Sequence, residues 1–301
     1  MKLMTIAEEV ADALDDGRPV VALESTLVAH GLPRPLNLET AAKAEAAVRE
    51  SGAVPATVAI LDGSIQVGLS IVELERLTSV DEVAKVSLHD IGRVLAGRTT
   101  GATTVATTMF AAHRAGISVF ATGGIGGIHR GDGNDVSADL TALATIPVAV
   151  VCAGAKAILD IPRTVESLET LGVPTVGYCT DVFCEFWSAG QDLPVGVRVD
   201  DPSEVAAILH AHWSAGLTSG LVVTVPVPTE QAVDRSIIEQ AVATGLNAAS
   251  EKKVRGSALT PFLLNQVAEV TGGASLEANV ALIINNARVA GAIATAFSET
   301  K

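Results

Sequence analysis

The chain has 301 residues, of which 49% are hydrophobic and only 3% aromatic, so it is long enough to fold around a large core of small side chains. Its net charge of -14 opposes nucleic-acid binding, because a broad surface for a phosphate backbone must be basic. The odd count of three cysteines matches no disulfide or metal framework, and the acidic segment 1–17 is not typical of a signal peptide, so a reducing, cytoplasmic location is expected.

The first third of the chain alternates strand-like and helix-like patterns. A β-branched segment at 19–24 predicts a strand, and 37–52 predicts a helix with Asn37 as its N-cap. Two further strand patterns flank Asp62-Gly63, a pair that is typical of a tight hairpin turn. Because a hairpin joins antiparallel strands, a purely parallel sheet is not expected.

The rest of the chain continues this alternation and then becomes helical. Strand patterns at 83–87, 117–121 and 147–154 are each followed by polar or glycine-containing segments. From residue 230 onward the pattern is mostly helical. Its most apolar stretch, 280–297, is interrupted by two asparagines and an arginine, which favours a buried helix over a membrane span.

Strands that alternate with helices predict an α/β fold, here a three-layer α/β/α sandwich around a mixed, largely parallel sheet. No internal repeat or linker is visible, so residues 1–301 are expected to form a single domain. The longest irregular segment, 180–200, is the best candidate for a flap over a binding site.

Polar side chains fall at or near the ends of several predicted strands. Glu24 ends the first strand, Lys85 lies in or at the end of 83–87, Thr122 follows 117–121, and Lys156 follows the strand that ends near residue 154. Ligands of α/β sheets bind at the carboxyl ends of the strands. The sequence therefore predicts that these four side chains converge on an active site.

A glycine-rich loop follows Thr122 and contains Gly123, Gly124, Gly126 and Gly127. Its backbone amides could approach an anion closely, His129 and Arg130 could add donors, and Ser137 begins a helix whose N-terminus favours phosphate. The spacing fits neither a dinucleotide fingerprint nor a P-loop. The other interpretation is a turn whose glycines supply positive φ angles.

Lys156 and Glu24 are the candidate catalytic residues. Almost every neighbour of Lys156 in the sequence is apolar, which favours a neutral amine able to attack an open-chain aldehyde and form a Schiff base. A helix predicted to begin beside it would act in the same direction. Glu24 could serve as a general acid or base. The alternatives are a lysine whose amine reaches solvent and a carboxylate that caps a turn.

Asp135 and Asp139 lie four residues apart at the start of a predicted helix. One or two carboxylates with waters could hold Mg²⁺ or Mn²⁺. The alternative is that these acids only stabilise the helix dipole.

A series of longer motifs also occurs here in one order: VALESTLVAHG, VAKVS followed by Asp90, GATTVATTM, FATGGIGGIHRG, VSADL, VVCAGAKAILD, ETLGVPTVGY, TPFLL and TGGASLEANV. In these motifs the chain closely resembles the pseudouridine-5′-phosphate glycosidase family, also called the indigoidine synthase A-like family. The resemblance runs from about residue 6 to the C-terminus. Motifs of this length in a fixed order are highly specific.

The resemblance implies an α/β/α fold, a homotrimer, a bound Mn²⁺ or similar divalent cation, and a reversible cleavage of pseudouridine 5′-phosphate by water to uracil and ribose 5-phosphate. It implies that Lys156 forms an imine with ribose C1, that Glu24 is the general acid/base that aids opening of the sugar, and that Asp139 is the single protein ligand of the metal. The positions implied on the phosphate side are Lys85, Thr122, His129 and Ser137, and those near the base are Thr104, Val105 and Asn279.

Two departures from the family pattern keep other hypotheses open. The segment 87–92 reads SLHDIG where many members read S-[RK]-R-D-L-P, and 183–190 lacks an arginine found in some members. The alternative is a diverged C-glycosynthase that joins ribose 5-phosphate to another, aromatic aglycone. A non-catalytic sugar-phosphate-binding protein is a third hypothesis, against which the joint presence of Lys156, Glu24 and Asp139 speaks. The chain shows no eightfold βα pattern that would suggest a barrel aldolase.

Overall fold

The computed structural model describes residues 3–79, 83–131, 133–190, 192–254 and 259–300. Within them the strands are β1 Met4–Ile6, β2 Val20–Leu23, β3 Val54–Leu61, β4 Ser64–Val67, β5 Ala84–Val86, β6 Gly101–Thr103, β7 Val119–Ala121, β8 Ala149–Cys152, β9 Thr175–Tyr178, β10 Val197–Val199 and β11 Leu221–Thr224. The α-helices are α1 Glu8–Asp15, α2 Leu36–Glu50, α3 Ile71–Ser79, α4 Ile91–Ala96, α5 Val105–Ala115, α6 Ala138–Thr145, α7 Ile161–Thr170, α8 Pro202–Ser214, α9 Arg235–Glu251, α10 Leu259–Val270 and α11 Ala274–Glu299.

The strands form one mixed sheet in the order β1-β4-β3-β2-β7-β8-β11-β9-β10, and β6 joins it by pairing with β3 and β5 by pairing with β6. Among the described strands, only the pairs β3–β4 and β3–β6 are antiparallel. The hairpin between β3 and β4 turns at Asp62 and Gly63, both with positive φ. The predicted mixed, largely parallel sheet is confirmed.

Helices cover both faces of the sheet. On one side α2 and α8 pack against α11, which contacts β2, β7 and β8, while α5 packs against α6 and contacts β2, β3 and β7. The three-layer α/β/α prediction is therefore confirmed. Among the described helices, α11 alone is long and apolar enough to cross a membrane, but half of its apolar window is buried against the rest of the protein. This packing supports the prediction of a core helix.

Two local predictions were wrong. Asn37 is not an N-cap, because α2 begins at Leu36 and the buried Asn37 side chain donates to the Val28 carbonyl at 2.6 Å. No helix begins beside Lys156 either, since α7 starts only at Ile161 after an Asp160 cap. That the whole chain folds as a single domain stays a prediction, which limited proteolysis would test.

Candidate active site

One pocket brings together five of the residues singled out in the sequence: Glu24, Lys85, Thr122, Lys156 and Asn279. Glu24 follows β2, Thr122 follows β7, and Lys156 lies four residues beyond β8, so their strands deliver them to the same edge of the sheet. Lys85 reaches the pocket from a strand that runs in the opposite direction. Its strand, β5, is parallel to β6, and β6 is antiparallel to β3, so β5 runs opposite to β2.

The Glu24 carboxylate is held by two threonine hydroxyls. Thr122 donates to Oε1 and Thr26 donates to Oε2. Thr122 is itself buried and fixed, because its amide donates to the Val151 carbonyl at 3.0 Å. These contacts orient the acid toward the pocket and leave each oxygen a further lone pair for a ligand.

The site gathers basic side chains although the protein as a whole is acidic. Burial lowers the pKa of the Lys85 ammonium, and the nearby positive charge of Lys156 lowers it further, while Asp139 and Glu24 act in the opposite direction. Burial also lowers the pKa of His129, with Asp135 opposing that shift and the two lysines adding to it. The N–H groups of two lysines and an imidazole are therefore close enough to one another to bind a single anion.

Lys156 lies in a turn rather than on a regular element. Its amide donates to the Ile125 carbonyl at 3.1 Å, and its own carbonyl accepts from the Leu159 amide at 2.9 Å. The preceding residue, Ala155, forms a parallel bridge with Ile125. The backbone on both sides of Lys156 is therefore fixed, and its half-buried side chain lines the pocket.

Arg130 does not serve the anion, contrary to the expectation from the sequence. Its guanidinium forms two hydrogen bonds of 2.7 Å with Glu239 on α9. It also donates to the carbonyls of Ala157 at 2.9 Å and Leu159 at 3.1 Å. Because those carbonyls lie one and three residues after Lys156, Arg130 stabilises the turn that carries the lysine.

We expect the substitution Glu239→Gln to lower kcat about 10-fold with little change in KM, because an unbraced turn holds the nucleophile less accurately. Steady-state kinetics on the proposed substrate measures this effect. The matched control is Glu251→Gln, at the exposed far end of α9. Equal kcat values for the two variants would show that the Arg130–Glu239 pair does not position Lys156.

The glycines of the loop are required for close packing and not for positive φ. None of Gly123, Gly124, Gly126 and Gly127 has a φ in the left-handed region, so the turn interpretation is wrong. A Cβ at Gly124 would lie 2.6 Å from the Phe186 ring, and one at Gly126 would lie 2.3 Å from the Ser137 hydroxyl. Gly123 and Gly124 form part of the pocket wall.

Asp139 joins two segments next to the pocket. The buried carboxylate accepts from the amide of Ala106 at 3.0 Å and from that of Gly126 at 2.7 Å. Ser137 caps α6 by accepting from the Asp139 amide at 3.2 Å, whereas Asp135 is exposed. Within the described ranges no three His, Cys, Asp or Glu side chains form a metal cluster. The arrangement fits a hard cation only if waters or ligand oxygens complete its shell.

The other predicted residues do not line the pocket. Thr104 is the N-cap of α5 and Val105 its first residue, one position before the amide that binds Asp139. Val105 packs in the core. The Thr104 hydroxyl and the His129 Nδ1 atom are buried without a partner among the described residues. Such orphaned groups are expected where a ligand completes the hydrogen bonding.

Several residues in or beside the pocket were missed from the sequence. Asn286 on α11 donates to the carbonyls of Thr122 at 2.8 Å and Gly123 at 3.3 Å, and an asparagine in an apolar helix was the available signal. His30 and Phe186 line the pocket itself. Phe186 lies within the predicted flap, whereas nothing in the sequence singled out His30.

The predicted flap, 180–200, is anchored where the structure describes it. Phe186 is buried, and its ring packs against Gly123 and Gly124. The same ring forms an edge-to-face pair with Trp187. Arg235 binds Glu185 at 2.9 Å and Asp192 at 2.8 Å. Movement of this segment over the site stays a prediction.

Comparison with known proteins identifies relatives over the full chain. The family model described as "Indigoidine synthase A like protein" matches residues 9–296. A pseudouridine-5′-phosphate glycosidase of Herpetosiphon aurantiacus is 50% identical over 100% of both chains, and one of Caldanaerobacter subterraneus is 49% identical over 99% of this chain and 98% of its own.

Two solved structures have the same fold. The prealnumycin C-glycosynthase AlnA, in complex with ribulose 5-phosphate, is 42% identical with a TM-score of 0.92, covering 100% of this chain and 98% of that one. An indigoidine synthase A-like protein from Thermotoga maritima is 36% identical with a TM-score of 0.91, covering 99% and 97%. The family model and the relatives cover almost the whole chain. The chain therefore belongs to the indigoidine synthase A-like family.

Proposed function

We propose that this protein is a C-glycosidase that hydrolyses pseudouridine 5′-phosphate to uracil and ribose 5-phosphate, in a reaction that is reversible. The observation that carries the proposal is the joint placement of Lys156, Glu24 and Lys85 in one pocket. The names of full-length relatives at about half identity support the same substrate.

The chemistry of the bond explains the need for this set. A C–C glycosidic bond offers no heteroatom leaving group that an acid could protonate. Bond cleavage therefore leaves the electron pair on the uracil carbon and needs an electron donor at C1 of the sugar. The lone pair of a lysine amine bonded to C1 is such a donor, and it forms the imine as the bond breaks. The acid/base, the amine and the anion site must act on one bound molecule, which their common pocket permits.

The proposed steps use Glu24 as a proton shuttle. Glu24 donates a proton to the ring oxygen as the neutral Lys156 amine bonds to C1, and the ring opens. The Glu24 carboxylate then takes a proton from the Lys156 nitrogen. The nitrogen lone pair forms the C=N bond while the C1–uracil bond breaks, and Glu24 protonates uracil C5. Water then hydrolyses the imine, which releases ribose 5-phosphate and returns a proton to Glu24 through the lysine.

The phosphate of the substrate is assigned to the cationic side of the site. Lys85 supplies the charge there, His129 and the Ser137 hydroxyl supply further donors, and Thr122 lies on the same side with its hydroxyl proton given to Glu24. The charges of Lys85 and Lys156 both act to lower the pKa of His129, and this proximity supports the grouping. The base is assigned to the side of Asn279, with Thr104 and Val105 behind it.

Asp139 is proposed as the single protein ligand of Mn²⁺, or of Mg²⁺. Each of its oxygens accepts one backbone hydrogen bond and keeps another lone pair, which is the donor chemistry that these cations prefer. A bound cation would supply positive charge beside the substrate phosphate. Asp139 itself holds the first turn of α5 and Gly126 in place whether or not a cation is bound.

The substitution Asp139→Asn is expected to abolish Mn²⁺ binding and to destabilise the metal-free protein by about 1–3 kcal/mol, because an amide N–H would face a backbone N–H. Mn²⁺ binding is read from the electron paramagnetic resonance of the free ion, and stability from urea unfolding. Asp135→Asn, at an exposed position, is the control. Unchanged Mn²⁺ affinity of the Asp139→Asn variant would show that Asp139 is not the metal ligand.

A C-glycosynthase that attaches ribose 5-phosphate to an aromatic aglycone is the second candidate. The likeness to AlnA supports it, as does the apolar wall that Leu27, Leu264 and Ile283 give the pocket. Tight binding of uracil without affinity for larger aromatic rings would decide for the glycosidase.

Two further properties are proposed from family membership and composition. A homotrimer is expected, and light scattering after size-exclusion chromatography would measure it. A cytoplasmic location is supported by three cysteines that remain free thiols, one of them, Cys179, exposed.

The direct test of the function is uracil release from pseudouridine 5′-phosphate in the presence of Mn²⁺. The proposal predicts release by the wild-type protein. If folded wild-type protein binds ribose 5-phosphate but releases no uracil, the result would contradict the glycosidase and favour the C-glycosynthase.

A further inference from the structure

His30 is a pocket residue to which the proposed mechanism gives no role. It lies in a π-helical turn, Leu27–Gly31, between β2 and α2, and the turn begins three residues after Glu24. Turns of this type are rare and frequently occur at functional sites. Leu27 and His30 of this turn line the same pocket as Glu24, Lys85 and Lys156.

The imidazole is bonded on one side only. Its Nε2 atom is buried and has no hydrogen-bond partner among the described residues. The backbone of Val83 and Ala84 lies beside the ring and acts to raise its pKa, as nearby carbonyl acceptors do. Because Nε2 is unpartnered, we assign the Val83 and Ala84 contacts to Nδ1. They select the tautomer with its proton on Nδ1 and leave Nε2 as an acceptor.

The charge state agrees with this tautomer. Burial lowers the pKa of His30, and the nearby Lys85 lowers it further, with the two backbone contacts opposing. The ring is therefore neutral at neutral pH. A buried acceptor without a partner is destabilising, so its retention beside an open pocket indicates that a ligand donor occupies it.

We infer that His30 Nε2 accepts a hydrogen bond from a hydroxyl group of the bound pentose phosphate. An ionised phosphate has no proton to donate, so the anion itself does not satisfy Nε2. The sugar hydroxyls do, and they lie between the phosphate bound near Lys85 and the C1 atom that must reach Lys156. This inference rests on the proposed function, whose sugar it orients.

The test is the affinity of the full-length protein for ribose 5-phosphate, measured by calorimetry for the wild type and for His30→Ala, His30→Gln and His113→Ala. We expect His30→Ala to weaken binding about 5- to 10-fold through the lost hydrogen bond. His30→Gln should restore most of it, since the glutamine oxygen can reach the Nε2 position. His113→Ala, exposed near the end of α5, should bind as the wild type does.

Deoxy sugars identify the group that is bound. The 2-deoxy and 3-deoxy forms of ribose 5-phosphate are measured with the wild type and His30→Ala, and one of them should bind both proteins equally. Equal affinity of all four proteins for ribose 5-phosphate would overturn the inference and leave the proposed function standing. Weaker binding of free uracil, with ribose 5-phosphate unaffected, would also overturn it. Wild-type protein that does not bind ribose 5-phosphate would contradict both proposals.

Discussion

Replacement of Lys156 by alanine is expected to lower the rate of uracil release by about 10⁴-fold or more, because the proposed mechanism forms the imine with C1 through this amine. Lys156→Arg should be equally inactive, since a guanidinium keeps the charge but has no free amine lone pair. The loss should appear in kcat, with the protein still folded and still able to bind ribose 5-phosphate through the remaining pocket residues.

A matched lysine separates chemistry from charge. Lys43→Ala, on the exposed face of α2, removes the same formal charge and should keep wild-type activity. Lys156 also has a nearby competitor, because Lys85 lines the same pocket and burial lowers its pKa. Substantial uracil release by Lys156→Ala would mean that Lys85 forms the imine or that the C–C bond breaks by a different mechanism.

Glu24→Gln is expected to lower kcat about 10³-fold, because general acid/base groups typically contribute 10²- to 10⁴-fold and an amide cannot exchange the proton. The amide keeps the size of the side chain and one oxygen for the Thr122 or Thr26 hydroxyl, so folding should be unaffected. Ring opening and C5 protonation both use this proton in the proposed steps. The defect should therefore appear in single-turnover experiments as well as in the steady state.

The control for Glu24 is Glu169→Gln, an exposed carboxylate near the end of α7. It should behave as the wild type does. If Glu24→Gln cleaved the substrate at a rate within a few fold of Glu169→Gln, the threonine-held carboxylate would be a structural cap, which is the alternative that the sequence left open.

The convergence of the site could be predicted from the sequence because it depends on strand ends. Glu24, Thr122 and Lys156 each follow an apolar strand, and parallel strands bring such positions together. The hairpin at Asp62-Gly63 was predictable for a similar reason, since its φ angles restrict which residues fit.

Contacts between distant parts of the chain could not be predicted in this way. Arg130 and Glu239 are 109 positions apart, and Thr122 and Asn286 are 164 apart. No local pattern says which partner a buried arginine or asparagine finds. The direction of β5 and the role of Gly124 also depend on neighbours from other elements, β6 and Phe186.

The central claim is that Lys156 forms a covalent imine with the pentose phosphate. The most direct measurement is borohydride reduction of the wild-type protein with ribose 5-phosphate, followed by mass spectrometry of its peptides. The account predicts one reduced sugar-phosphate adduct, located on Lys156 and absent from Lys156→Ala. An adduct on Lys85, or no adduct under conditions in which the protein releases uracil, would contradict it.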